Sequence, residues 1–241
     1  MMMKQISMPV IAYMHSPYRE KFGIPRQPNL VDVQSYVELC PPYNDLQAFA
    51  GIEQFSHLWL LWQFHDNKSV TATDTFRAQV RPPRLGGNQK IGVFASRSMY
   101  RPAAIGLSVV RFEKIVKQGS ALRVYVRGSD LLDGTPILDI KPYIQYSDAI
   151  LDAQSGYAQQ QPMVKKVCWQ MPAQQQCQQL LAAQCIDPQH IQELQQVLAL
   201  DPRPAYQQDA QRVYGLSFAN FNVKFTVSTD QVQIEHLSLL D

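Results

Sequence analysis

From Ile6 to about Leu151 the chain is a succession of short apolar or alternating runs cut by proline- and glycine-rich turns, with no helical period between them. Strand-like runs are Ile6 to Tyr13, Phe55 to Phe64, Ile91 to Ala95, Ile105 to Phe112 and Leu122 to Val126. In the last of these, Leu122, Val124 and Val126 alternate with Arg123 and Tyr125, the pattern of a strand with one dry and one wet face. Many short strands without intervening helices cannot build a doubly wound parallel sheet. They predict a sandwich or a barrel.

The pattern changes near Leu151. Glutamine dominates from Gln154 to Gln196, and helix signals appear: Met171-Pro172 opens one segment, and Cys177, Leu180, Leu181 and Cys185 share a helical face. Asp187 is a good N-cap with Pro188 at the first helical position, followed by Ile191, Leu194 and Leu198 at helical spacing. Strand returns in Asn222 to Ser228 and Gln231 to Glu235, with Ser228-Thr229-Asp230 between them as a hairpin turn. The fold class is therefore mainly β: an N-terminal barrel over residues 1–152, then a smaller α+β domain over 153–241. The glutamine tracts at 159–161 and 174–176 read as solvent-facing filler.

A composition of 46% hydrophobic and 17% charged residues supplies a packed core, and the longest apolar run, Leu58 to Trp62, is far too short to span a bilayer. The first ten residues lack the apolar stretch of a secretory signal, so a cytoplasmic location is expected. Cys40, Cys168, Cys177 and Cys185 form no CxxC pair, and buried reduced thiols are expected. The five histidines (His15, His57, His65, His190, His236) make no metal-binding pattern, and no metal is expected.

Charge is uneven. The chain carries only +2, yet between Asp74 and Glu113 there is no acid, while Arg77, Arg81, Arg84, Lys90, Arg97, Arg101 and Arg111 all lie there. A polarised region on a nearly neutral protein suits a polyanionic partner.

Neither a GxGxxG turn, a P-loop nor a GxSxG elbow occurs. Instead, loop-like segments are dense in Arg, Pro, Gly and Asp: His15 to Tyr18, Ile24 to Pro28, Val80 to Asn88, Phe94 to Arg101 and Gly128 to Tyr143. Prolines beside an arginine restrict its backbone and reduce the entropy lost on gripping an anion. Asp130 and Asp133 offer acceptors to ribose hydroxyls or an amine, although Asp133-Gly134 also reads as a hairpin turn capped by Asp130. Tyr18 is either a ligand contact or a core aromatic, and His65 either a functional or a structural histidine.

Together these segments resemble the TsaA/TrmO family of tRNA methyltransferases. The resemblance lies in HSPY (His15 to Tyr18), PRQP (Pro25 to Pro28), FSHLWLL (Phe55 to Leu61) ending at His65, RPPRLGGN (Arg81 to Asn88), GVFASRS (Gly92 to Ser98), RPAAIGLS (Arg101 to Ser108), DLLDGTPILDIKPY (Asp130 to Tyr143), DPRPAY (Asp201 to Tyr206) and FNVKF (Phe221 to Phe225). Many members have an asparagine where this chain has Ala103. The resemblance implies a single-sheet β-barrel that binds S-adenosyl-L-methionine, a homodimer, and a C-terminal domain. The implied reaction methylates the exocyclic nitrogen of threonylcarbamoyl-adenosine beside the anticodon of threonine tRNA. By matching position, cofactor contacts are expected at Pro25, Arg26, Gln27, His65, Asp66, Arg97, Leu107, Asp130, Leu131, Leu132 and Asp133. Proton acceptors are sought among Asp130, Asp133 and His65; contacts to the tRNA among Tyr18, Arg81, Arg84, Lys90, Arg97 and Arg101. Two rivals are a non-catalytic RNA-binding module and a small-molecule hydrolase using His65 with Asp66 or Asp130; the latter lacks a nucleophile in an activating context.

Overall fold

The computed structural model describes residues 6–66, 76–204, 207 and 209–240. Its N-terminal part is one sheet closed on itself. Strands β1 (Ala12–His15), β2 (Gln34–Leu39), β3 (His57–Gln63), β6 (Ile105–Gln118), β7 (Ala121–Arg127) and β8 (Pro136–Pro142) pair in the order β1-β2-β7-β6-β3-β8, with β8 returning to β1. Every pairing is antiparallel, so one face of each strand points to a common interior. Met14, Val37, Leu58, Leu60, Val110, Leu122, Val124 and Ile137 fill it. A short hairpin of β4 (Gln79–Val80) and β5 (Ile91–Gly92) carries the RPPRLGGN loop outside the barrel.

After a single helical turn, α1 (Gln145–Asp148), the chain builds a second sheet with two helices. Strands β10 (Tyr214–Phe218), β11 (Phe221–Val227), β12 (Gln231–Leu239) and β9 (Lys166–Trp169) lie in that order, β9 parallel to β12. Helices α2 (Met171–Ala182) and α3 (Pro188–Ala199) complete the core with Leu194, Leu198, Phe218, Phe221 and Phe225. Asp187 caps α3 as expected, its side chain accepting from Gln189 N.

The two parts are joined by the segment between β1 and β2. Tyr18, Val31 and Val33 belong to the second core. Ala219 N donates to Pro17 O, Gln34 N to the Glu193 carboxylate, and Asp32 N to Gln196 Oε1.

Several local expectations change. The first strand starts at Ala12 instead of Ile6, and Val93–Ala95 is a 3-10 turn after a two-residue strand. Helix α2 ends at Ala182, where Gln184 takes a left-handed φ of 54°, so Cys185 falls beyond the helix and is exposed; Cys177 is buried. Gln176 is not filler: it bonds His236 Nδ1 and accepts from Leu237 N.

Candidate functional site

The site begins where β7 ends. Gly128 adopts a φ of +79°, and a Cβ there would lie 2.3 Å from Asn29 Oδ1, so only glycine lets the chain turn off the strand beside Asn29. The next residues fold over the barrel mouth. Leu131, fully buried, plugs the core, which orients the flanking aspartates. The HSPY segment pins this turn: Ser16 Oγ donates to Leu131 O at 2.8 Å, and Ser16 N to Asp133 Oδ1 at 3.0 Å.

Asp130 and Asp133 part company here. The Asp130 carboxyl group is surrounded by protein although part of the residue still meets solvent. Its Oδ1 accepts from Ser108 Oγ at 2.6 Å. Burial lifts its pKa to about 6, against the opposing pull of the Ser108 hydroxyl, its own backbone N–H and the Arg97 charge. Asp133 instead faces a cleft of about 610 Å³ between barrel and second domain, lined by His15, Arg19, Tyr36 and Tyr125 among others. Both of its oxygens are engaged, Oδ1 by Ser16 N and Oδ2 by Arg19 Nη1 at 2.7 Å.

Ser108 lies inside the barrel on β6 and also accepts from Trp62 Nε1 at 3.0 Å. The register sets Trp62 opposite Gly106, and a Cβ on Gly106 would come within 2.2 Å of the indole. The glycine is thus the seat of the ring. The sequence reading gave neither Trp62, Gly106 nor Ser108 a role. The available signal was a serine two residues after a glycine on the dry face of an apolar strand, since a buried hydroxyl needs a partner.

Of the expected cationic residues, Arg97 comes closest to this constellation: its guanidinium bonds Gln27 Oε1 and its charge is felt by Asp130. Leu107, half exposed, follows Gly106 on the outer face of β6. Arg101 Nη1 donates to Ser96 O, which steadies the loop carrying Arg97. His65 and Asp66 are exposed at the end of β3, and Asp66 pairs with Lys21 at 3.4 Å.

Others lie elsewhere. Pro25 and Arg26 line a second cleft, about 530 Å³, with Lys165, Asp201 and Arg203. There burial lowers the Arg26 pKa while Asp201 supports its charge and Arg84 opposes it; Arg26 Nη2 donates to Arg203 O. Arg84 bonds the Gln160 carbonyl, and Arg81 and Lys90 are exposed on the β4–β5 hairpin loop. Arg111 is neutralised by Asp32 at 2.9 Å. The DPRP part of DPRPAY forms one wall of the second cleft; Ala205 and Tyr206 lie outside the described residues.

Tyr18 as a tRNA contact is corrected. It is 2% exposed, packs edge-on against Phe218 at 5.9 Å, and is a core aromatic of the second domain. Burial, with the charges of Asp130 and Glu193 adding to it, raises its pKa well above the ordinary value.

Fold and site define a class: a closed antiparallel barrel with a buried, partnered carboxylate at its mouth and an arginine–glutamine pair beside it, extended by an α+β domain. Within that class the chain belongs to the tRNA-methyltransferase O family. The model of that family's N-terminal domain matches residues 13–149, and that of its C-terminal domain residues 162–239. The chain is 40% identical over 222 residues to a tRNA (adenine(37)-N6)-methyltransferase of Escherichia coli, covering 90% of this chain and 92% of that protein. A protein of the same name from Eikenella corrodens is 41% identical over 181 residues, 75% of this chain and 96% of that one. A crystal structure of TrmO from Pseudomonas aeruginosa superposes with a TM-score of 0.77 at 35% identity, covering 98% of this chain and 99% of that one.

Proposed function

We propose that this chain methylates the N6 nitrogen of threonylcarbamoyl-adenosine at position 37 of threonine tRNA, with S-adenosyl-L-methionine as methyl donor. The observation that supports the proposal is that residues from four of the family's motifs are linked at the barrel mouth: Ser108 bonds Asp130, Arg97 bonds Gln27, and the Arg97 charge acts on Asp130.

The residues there suit a zwitterionic nucleoside. An aspartate accepts from hydroxyl or ammonium groups, an arginine grips a carboxylate, a glutamine serves either, and Leu107 offers an apolar surface to a base. Arg97, Gln27, Leu107 and the backbone of the Asp130–Asp133 turn would hold the cofactor, with His65 and Asp66 at the rim. The bound cofactor supplies an electrophilic methyl whose thioether leaving group needs no proton. Catalysis by the protein is then a matter of orientation, which in well-aligned systems supplies up to roughly 7–11 kcal/mol, and of removing one proton from the attacking nitrogen. Asp130 takes that proton: a carboxyl group poised near neutrality is a better base than one at the ordinary value. Asp133, with both oxygens engaged, is a pinning residue for the turn.

Arg81, Arg84, Lys90 and Arg101 are the proposed phosphate contacts, so binding weakens with salt. Residues 1–152 form the catalytic domain and 153–241 the domain that helps dock tRNA, in a cytoplasmic homodimer. Among the described residues no helix is long and apolar enough to cross a membrane. The test is mass spectrometry of tRNA nucleosides from a strain lacking the gene. Loss of the methylated threonylcarbamoyl-adenosine, restored by the gene, supports the proposal; an unchanged nucleoside profile refutes it.

A further inference from the structure

The contacts around Asp130 have a fixed direction. An indole N–H is a donor only, so the bond between Trp62 Nε1 and Ser108 Oγ occupies a lone pair of the serine. Ser108 has one proton, and the atom 2.6 Å from its oxygen is Asp130 Oδ1. The hydroxyl therefore donates to the ionised carboxylate; accepting from a protonated Oδ1 through its second lone pair would turn its only proton away from Asp130, the one acceptor it has among the described bonds, and strand that proton in the buried interior. Ser108 is fully buried and Trp62 nearly so, and in such surroundings a lost partner is costly. The indole is itself fixed, by the missing side chain of Gly106 on one side and by Phe64, edge-on at 4.3 Å, on another.

We propose that Ser108 is a positioning residue for the reaction: anchored by Trp62, it holds Asp130 Oδ1 as a permanent acceptor, so that Oδ2 alone is left to receive the substrate's proton. This rests on the reading of Asp130 as the base. It goes further by assigning which oxygen acts and which side chains enforce the choice. A proton arriving on Oδ2 leaves the Trp62–Ser108–Asp130 chain intact, so the base protonates without any rearrangement of the barrel interior. The same donor favours the ionised carboxylate. The other ionisable groups coupled to Asp130 are Arg97, which also favours the ionised form, and Tyr18, whose phenol is kept neutral by burial. Neither lies in the chain.

The test uses the full-length protein with selectively carbon-13-labelled aspartate, comparing wild type, Ser108→Ala and Trp62→Phe. Two readouts are taken: the titration of the Asp130 carboxyl signal, assigned with Asp130→Asn, and the pH profile of single-turnover methyl transfer to tRNA. Ser108→Ala should move the Asp130 titration and the acid limb of the rate together to higher pH by about one to two units, the effect of losing one bond to a charged group. Trp62→Phe should move both the same way by less, since the hydroxyl remains but is no longer aimed. An unshifted Asp130 titration in folded Ser108→Ala overturns the proposal. Should that variant fail to fold, Trp62→Phe, which leaves no buried indole N–H stranded, decides by the same criterion. Failure of the base reading looks different: Asp130→Asn would transfer methyl at the wild-type rate, while the carboxyl titration would still report on Ser108.

Discussion

Gly106→Ala joins fold and site in one substitution. The added carbon would sit 2.2, 2.3 and 2.6 Å from three atoms of the Trp62 indole, distances that only displacement of the ring relieves. The ring has little freedom, since Phe64 packs against it and its N–H is held by Ser108. Overpacking of this kind costs about 1–3 kcal/mol, and stranding a buried donor costs a similar amount. The combined loss should be about 2–6 kcal/mol, a fall in Tm of roughly 4–24 °C for a chain of this size. Urea denaturation followed by tryptophan fluorescence measures it directly. Gly215→Ala is the control: it lies on an exposed strand position with nothing within 4 Å of the new carbon, and should change stability by less than about 1 kcal/mol. A Gly106→Ala protein as stable as that control would refute the seating of Trp62 by Gly106, and with it the account of how Ser108 is held.

Asp130 should trade stability for activity. Its folded pKa is raised to about 6 from 3.8, so between those values the unfolded chain ionises first, and the stability this group contributes at low pH is lost as pH rises toward 6. Asp130→Asn should therefore be more stable than wild type at pH 7.5, by about 1–3 kcal/mol; equal or lower Tm values would contradict the burial of that carboxylate. In wild type, methyl transfer should rise with pH through about 6 and then level, because only the ionised carboxylate accepts a proton. Arg97→Ala should cut methyl transfer about 100-fold or more with Tm nearly unchanged, since the residue is exposed and its guanidinium bonds another loop side chain; wild-type activity would remove it from the site. Tyr18→Phe should keep full activity and stability to within about 1 kcal/mol, because the buried hydroxyl has no partner to lose. A large activity loss there would restore Tyr18 to the tRNA contacts.

What the sequence disclosed follows from where its signals are local. The strand around Leu58 to Trp62 was legible as an unbroken apolar run, and that of Leu122 to Val126 because its alternation is undiluted. Strand β2 was not, because Gln34–Leu39 puts Gln, Tyr and Glu outward and a serine inward, which weakens the contrast. Strand β8 lay hidden inside a segment read as loop, since prolines stand at both of its ends. Asp130 could be singled out from its neighbours in the chain. Its surroundings could not, since Ser108 and Trp62 reach it through the register of β3 on β6, a long-range pairing without a local signature. The same limit explains Arg26 and Gln27. Adjacent in one motif, they part: Arg26 lines the second cleft, while Gln27 bonds Arg97.

The most direct measurement is single-turnover transfer of labelled methyl from S-adenosyl-L-methionine to tRNA prepared from a strain lacking the gene, with wild type and Asp130→Asn side by side. Wild type should place one label per acceptor on N6 of threonylcarbamoyl-adenosine, and the variant should be slower by about 100- to 10,000-fold. Label on another nucleoside, or equal rates for the two proteins, would contradict the assignment of that carboxylate at the barrel mouth.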